Sequence, residues 1–377
     1  MVPNITVQEL YDRLRGMDRV LILDVRAQEA FDEWHIDHPN AQVVNIQTSK
    51  LIKEGPEAYL EIPKDREVVT VCAQGVASME AAEILRDHGY EAVSLAGGMR
   101  AWSEFYYPVP VVEGEELALI QVIRPGKGCL SYVLVSGQEA VVVDPGRHTV
   151  VYQAVAERYG ASIRHVLDTH CHADHISGGP GLAAETQACY WISAEEMEGR
   201  GRVPYEALTD GLRFRFGRST LEVVSIPTPG HTPGSVSFLV NQTYLLSGDT
   251  VFVSGLGRPD LGGKALEWSK LLYETVSTKL ANLSGDVWVL PAHYSSASEI
   301  NDQGYVGASL EEIRRHNDLL QDIGPEEFTS AVVSRIGKTP PNYDTIVRIN
   351  LGLEPVTPEL ASTLEIGPNR CAAKHLA

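Results

Sequence analysis

Four apolar runs in the second part of this 377-residue chain each end in residues that can bind a metal ion. "HVLD" leads into "DTHCHADH" (168–175), which holds His170, His172, Asp174 and His175. "SIPTPG" leads to His231, "TYLLSG" to Asp249 and "VWVLP" to His293. Short apolar runs bounded by turn residues read as buried strands, and open sheets present ligand-binding residues just beyond their strand ends. The loops are therefore expected to converge on one rim. Pro227, Pro229 and Pro233, with Gly230 and Gly234, stiffen the loop around His231, which suits a ligand held in one geometry. Imidazole and carboxylate donors without thiolate favour zinc, iron or manganese over copper(I) or an iron–sulfur cluster. Cys171 alternates with His170 and His172, so it is expected behind the site rather than on the metal. His35, His38, His88, His148, His165, His316 and His375 lack comparable company and are read as ordinary core or surface residues.

The two parts of the chain have different rhythms. "VLILDV" (20–25), "EVVTV" (67–71) and "EAVSLAGG" (91–98) read as strands, with a helix over 77–89 that ends at Gly89. Strands interleaved with helices predict a small parallel α/β sheet. "FYYPVPVVEGEE" (105–116), with two prolines and then acids, reads as a linker. Beyond it, "LALIQVI", "SYVLVSG" and "EAVVVDPG" read as successive antiparallel strands, followed by a helix at about 148–160 and a strand over 163–168. More strands follow ("LEVVSI", "SVSFLV", "TYLLSGD", "VWVLPAH"), with helices around 268–280 and 309–320. The expected fold class is α/β: a small parallel-sheet domain over 1–110, then an αββα sandwich over 111–377. The sandwich core covers about 115–300, with a C-terminal extension over 301–377.

The formal charge of −19 is spread over both parts, and no basic block stands out. Nucleic acid and anionic membrane are therefore not expected partners. "MVPNITVQELYDRL" lacks the basic and apolar regions of a signal peptide. Five scattered cysteines (Cys72, Cys129, Cys171, Cys189, Cys371) have no framework spacing, which fits a reducing compartment, and a cytoplasmic location is expected.

"TVCAQGVASMEAAEIL" places Cys72 at a strand end, with Ala73, Gln74, Gly75, Val76, Ala77 and Ser78 leading into a helix. Backbone N–H groups turned toward the sulfur, together with the helix dipole, favour the nucleophilic thiolate. By position alone, a buried structural cysteine is an equal reading.

"THCHADH", "GHTPGS", "SGDT" and "PAH" resemble the ordered motif series of the metallo-β-lactamase superfamily over roughly 115–300. Two branches fit: dinuclear thioester hydrolases of the type II glyoxalase kind, and mononuclear iron persulfide dioxygenases. All seven dinuclear positions are present. Arg258 and Asp260 in "GRPD" are similar to the Gly-Arg-x-Asp of the dioxygenases, and that similarity implies catalytic roles for both. The resemblance further implies one Fe(II) per chain on His170, His231 and Asp249. His172, Asp174, His175 and His293 are then outer-shell groups or a second metal site. Two zinc ions are the alternative. "LILDVRAQEAF", "HIDHPNAQVVNI", "VCAQGVAS" and "GYEAVSLAGGMRAW" resemble a rhodanese over about 3–107, which implies sulfur transfer through a Cys72 persulfide. Trp34 replaces the usual glycine, and the loop has no basic side chain, so persulfide is favoured over thiosulfate as donor. Ser78 stands where a phosphatase would need arginine. The implied partners are a small thiol persulfide, dioxygen, and sulfite or thiosulfate, with a second copy of the chain as an allowed partner. Cys371 is read as a tail residue, the alternative being that its segment folds back to line the pocket.

Overall fold

Gly75, with φ near 91°, turns the chain out of strand Val68–Val71 and into helix Val76–Asp87. Ser78, Ala81, Ala82 and Leu85 recur at helical spacing and form the helix's buried face, which packs on the sheet. The computed structural model describes residues 2–16, 19–197, 199–217 and 221–374. Its first sheet has five parallel strands in the order Asn4–Ile5, Ala92–Leu95, Val68–Val71, Val20–Asp24, Ala41–Asn45. Its interior strands are buried along nearly their whole length and mostly apolar, with Thr70 and Ser94 as buried polar exceptions.

The stretch expected as a linker is instead a strand. Tyr107–Glu113 pairs antiparallel with Ala118–Arg124 at one edge of a seven-stranded sheet. Pro108 and Pro110 read as loop residues in sequence, but an edge strand tolerates them because one side of its ladder has no partner.

From that edge the sheet continues through Cys129–Ser136, Glu139–Val143, Ser162–Leu167, Cys189–Ser193 and Glu206–Leu208. A second sheet contains Arg213–Phe216, Leu221–Pro227, Val236–Val240, Tyr244–Gly248, Trp288–Pro291 and Ala308–Ser309. Leu119, Tyr132, Val141 and Leu167 of one sheet pack against Phe214, Phe238, Leu246 and Leu290 of the other. Burial of each large apolar side chain there contributes about 1.5–3 kcal/mol. Helices Val150–Arg158 and Gly179–Thr186 cover one outer face. Helices Ala265–Glu274 and Pro325–Ser334 cover the other. The result is an αββα sandwich. Among the described residues, no helix is long and apolar enough to cross a membrane.

The C-terminal extension returns across the strand ends. Helices Tyr343–Asn350 and Pro358–Leu364 lead to strand Ala372–Lys374, which pairs antiparallel with Gly255–Gly257.

Candidate metal centre and thiol loop

The strand ends at Leu167, Pro227, Gly248 and Pro291 place the four predicted loops on one rim, where His170, His172, Asp174, His175, His231, Asp249 and His293 are all buried. One ligand atom from each of His170, His231 and Asp249 lies within 4.8 Å of the other two. His170 Nε2 is 3.7 Å and His231 Nε2 is 3.4 Å from the same oxygen, Asp249 Oδ2. All three atoms are buried without a hydrogen-bond partner among the described residues. An unsatisfied buried polar atom costs about 1–3 kcal/mol, and a cation between the three would satisfy them together.

The far side of each of these three side chains is anchored. His231 Nδ1 donates to the Arg258 carbonyl at 2.8 Å, which leaves Nε2 as a lone pair facing the cluster. His170 Nδ1 meets Thr169 Oγ1 at 2.9 Å, and that hydroxyl reaches Asp144. Asp249 Oδ1 accepts from His293 Nδ1 at 2.6 Å. Burial, and then the neighbouring His172, push His170 well below the usual imidazole range. Burial also lowers His231. Neutral imidazole is the form that binds metal. Burial opposes the Asp249 carboxylate, but His293 beside it holds its pKa below the ordinary carboxylate value.

Asp174, His175 and His293 find partners in one another. Asp174 lies 3.0 Å from His175 Nδ1 and 3.1 Å from His293 Nε2. Burial opposes protonation of His175, but Asp174 beside it pushes its pKa up to about 10. His172 turns toward Asp144, with Nε2 at 3.2 Å from Oδ1. None of the six described lone histidines joins a metal-capable group, and His375 lies outside the described residues. Cys171 is half-buried beside the outer helices, and its backbone N–H donates to Glu196.

Two further cysteines lie at the site: Cys129, which the sequence reading did not single out, and Cys371, which it assigned to the tail. Cys129 Sγ is 3.3 Å from Asp174 Oδ2 and 3.7 Å from His175 Nδ1. The hairpin reading contained the signal: antiparallel pairing puts the start of this strand on the same rim as the end of Glu139–Val143. Cys371 is not a free tail residue. It is fully buried, and its sulfur falls within 4.8 Å of donor atoms on Asp249 and His293. The reason is the tail strand, which pins it against Gly255–Gly257.

Arg258 and Asp260 face the extension. The guanidinium binds Asp260 through two nitrogens, at 2.6 and 2.7 Å, and also reaches Gly337 O, Thr339 Oγ1 and Arg370 O. These contacts clamp the tail, while the Arg258 backbone carbonyl orients His231. Asn350 braces the ligand loop further by donating to the carbonyls of His172 and His175.

In the first domain the Cys72 sulfur accepts from the Gly75 N–H at 3.1 Å and from Ser78 Oγ at 3.3 Å. Burial raises the thiol's pKa, but hydrogen bonds from Ser78, Gln74 and Gly75 outweigh it and leave the pKa lowered. Ala73, Gln74 and Val76 are exposed at the loop, Gly75 and Ala77 are half-buried, and Ser78 is buried. Gly98, with φ near 56°, packs so closely that a Cβ would collide with the Cys72 carbonyl.

Comparison with known proteins agrees with this geometry. The Rhodanese-like domain pattern matches residues 6–105, and the Metallo-beta-lactamase superfamily pattern matches residues 124–293. The chain is 30% identical over 249 residues to human "Persulfide dioxygenase ETHE1, mitochondrial", covering 65% of this chain and 92% of that protein. The crystal structure of ETHE1 from Myxococcus xanthus superposes with a TM-score of 0.52 at 26% identity, covering 62% of this chain and 98% of that one. A metallo-beta-lactamase from Staphylococcus aureus shares the fold, with a TM-score of 0.57 at 24% identity over 64% of this chain and 74% of that one. With a buried metal-capable rim and a relative matched over nearly its full length, the chain belongs to the persulfide dioxygenase family of the metallo-β-lactamase superfamily, preceded by a rhodanese-like domain.

Proposed function

We propose that this protein is a mononuclear iron dioxygenase that oxidises a small thiol persulfide to sulfite and thiol, coupled to sulfur transfer through Cys72. The overall reaction is RSSH + O2 + H2O → RSH + sulfite + 2 H+. The observation that carries the proposal is that three unpartnered atoms, His170 Nε2, His231 Nε2 and Asp249 Oδ2, lie within 4.8 Å of one another, whereas His172 Nδ1, also unpartnered, falls outside that group. Two imidazoles and one carboxylate are the donor set of non-haem Fe(II) oxygenases. Bound there, iron would supply open positions for thiolate sulfur and dioxygen and a route for electrons between them. The other four rim residues act from outside the ligand set: His293 fixes Asp249, and Asp174 with His175 holds His293 in place. Burial of the whole rim excludes bulk water from the sulfur being oxidised.

In the transfer step, the Cys72 thiolate attacks the outer sulfur of a donor persulfide, forming a new S–S bond and releasing the donor thiolate. Sulfite then takes that outer sulfur, leaving Cys72 as thiol and thiosulfate as product. The neutral loop supports a persulfide donor, because an oxyanion would find no cationic side chain among residues 73–78. Residues 1–110 carry the transfer and 111–377 the oxidation. Five free thiols support a reducing compartment as the site of action.

The test is metal analysis of protein purified without oxygen, with oxygen uptake measured on glutathione persulfide. About one iron per chain and stoichiometric sulfite are expected. Two zinc ions, acyl-thioester cleavage and no oxygen uptake would instead establish the dinuclear hydrolase.

A further inference from the structure

The two histidines of the proposed triad sit on loops from different sheets, so something must set the distance between them. Glu196 lies between these loops. It sits in the short helix Ala194–Met197, which follows strand Cys189–Ser193 of the seven-stranded sheet, and its side chain is buried. Glu196 Oε2 accepts the backbone N–H of Cys171, next to His170, at 2.7 Å. Glu196 Oε1 accepts the hydroxyl of Thr232, next to His231, at 2.6 Å, and the N–H of Gly234 at 2.8 Å. The Thr232 hydroxyl also meets Ser235 Oγ at 2.6 Å, which ties the second loop to itself. Gly234 is required for this approach: a Cβ there would lie 2.7 Å from Glu196 Oε1 and 2.9 Å from its Cγ.

We infer that Glu196 is a positioning residue: its carboxylate spans the two ligand loops and sets the separation of His170 and His231. A carboxylate is suited to this because all three groups facing it are donors and both of its oxygens accept. An amide would turn an N–H toward one of those donors and open the span on that side. Because the strut acts through backbone next to each ligand, its loss should appear as altered ligand geometry rather than a missing ligand. Outer-shell partners of this kind typically change metal affinity by about 10- to 100-fold.

The inference rests on the proposed metal site, and cobalt(II) loading separates the two. Wild-type protein that gave no visible cobalt spectrum, with or without His231→Ala as control, would remove the metal site and the strut with it. If wild type binds cobalt, Glu196→Gln is expected to shift the ligand-field bands and to release cobalt to a chelator about 10- to 100-fold faster. Cys72 alkylation, read in the other domain, should stay at the wild-type rate. Thr232→Val, which keeps the carboxylate but removes one donor, should shift the same bands by less, and it serves if Glu196→Gln fails to fold. Unchanged bands and an unchanged release rate in a folded variant would overturn the role assigned to Glu196.

Discussion

His231 is oriented by the backbone carbonyl of Arg258, 2.8 Å from its Nδ1, and the Arg258 side chain is locked in turn to Asp260 and the C-terminal extension. A candidate ligand histidine and the tail are thereby held by one residue. Arg258→Ala removes one partner of a largely buried pair and releases three tail contacts. It should cost about 3 kcal/mol of stability and lower the iron content. Arg258→Lys should recover little, because an ammonium cannot form the two-nitrogen grip. Urea unfolding midpoints with metal analysis will check this, and a wild-type midpoint for Arg258→Ala would contradict it.

Gly257 packs against the backbone of Asp249 and the side chain of His231. A Cβ there would collide with the Asp249 carbonyl and lie 3.0 Å from the His231 Cβ. Gly257→Ala should therefore fold but bind iron poorly, because two ligands must shift to make room. Iron per chain beside a circular dichroism spectrum will decide. Full metal content would show that the loop yields more easily than its packing implies.

Cys72 should react as a thiolate at lower pH than an ordinary thiol. Its folded pKa is depressed by hydrogen bonds that favour the charged form. Alkylation rate against pH should have a midpoint below the usual value of about 8.5. Ser78→Ala should move that midpoint upward by removing a donor to the sulfur. A Cys189→Ser background silences the exposed thiol. Cys72→Ser should abolish thiosulfate formation from sulfite while leaving oxygen uptake intact.

Glu365 should make the protein acid-sensitive. It is fully buried, 3.0 Å from Arg124 and 2.8 Å from Arg147, and it accepts the Ile176 N–H. Burial alone would raise its pKa, but the two guanidinium groups hold it down to about 2, from an ordinary 4.5. A carboxylate with a depressed folded pKa contributes its full stability above the unfolded value and loses it as pH falls through the folded one. Stability should therefore decline from about pH 4.5 toward pH 2. Glu365→Gln should flatten that slope and cost about 3–5 kcal/mol at neutral pH, chiefly because buried Arg124 loses its partner, while half-buried Arg147 keeps Glu104 at 3.1 Å. Equal acid sensitivity in the variant would place the effect elsewhere.

The local pattern of residues determined a good deal. Apolar runs ending in histidine or aspartate were enough to predict strands, their shared rim and all seven buried donors, because strand formation and the position just past a strand end are short-range properties. The Cys72 loop was legible for the same reason: strand, turn glycine and helix start lie within a few residues. Tertiary structure decided what depends on distant segments meeting. Cys129 reaches the rim through a hairpin and Cys371 through a returning tail strand, and only the first of these leaves a trace in the local sequence pattern. Tyr107–Glu113 is a strand only because a neighbouring strand accepts its prolines at an edge. Which rim atoms find partners was also decided there: His170 Nε2, His172 Nδ1, His231 Nε2 and Asp249 Oδ2 have none among the described residues. That outcome depends on hydrogen bonds between loops more than forty residues apart, as in the His293–Asp249 pair.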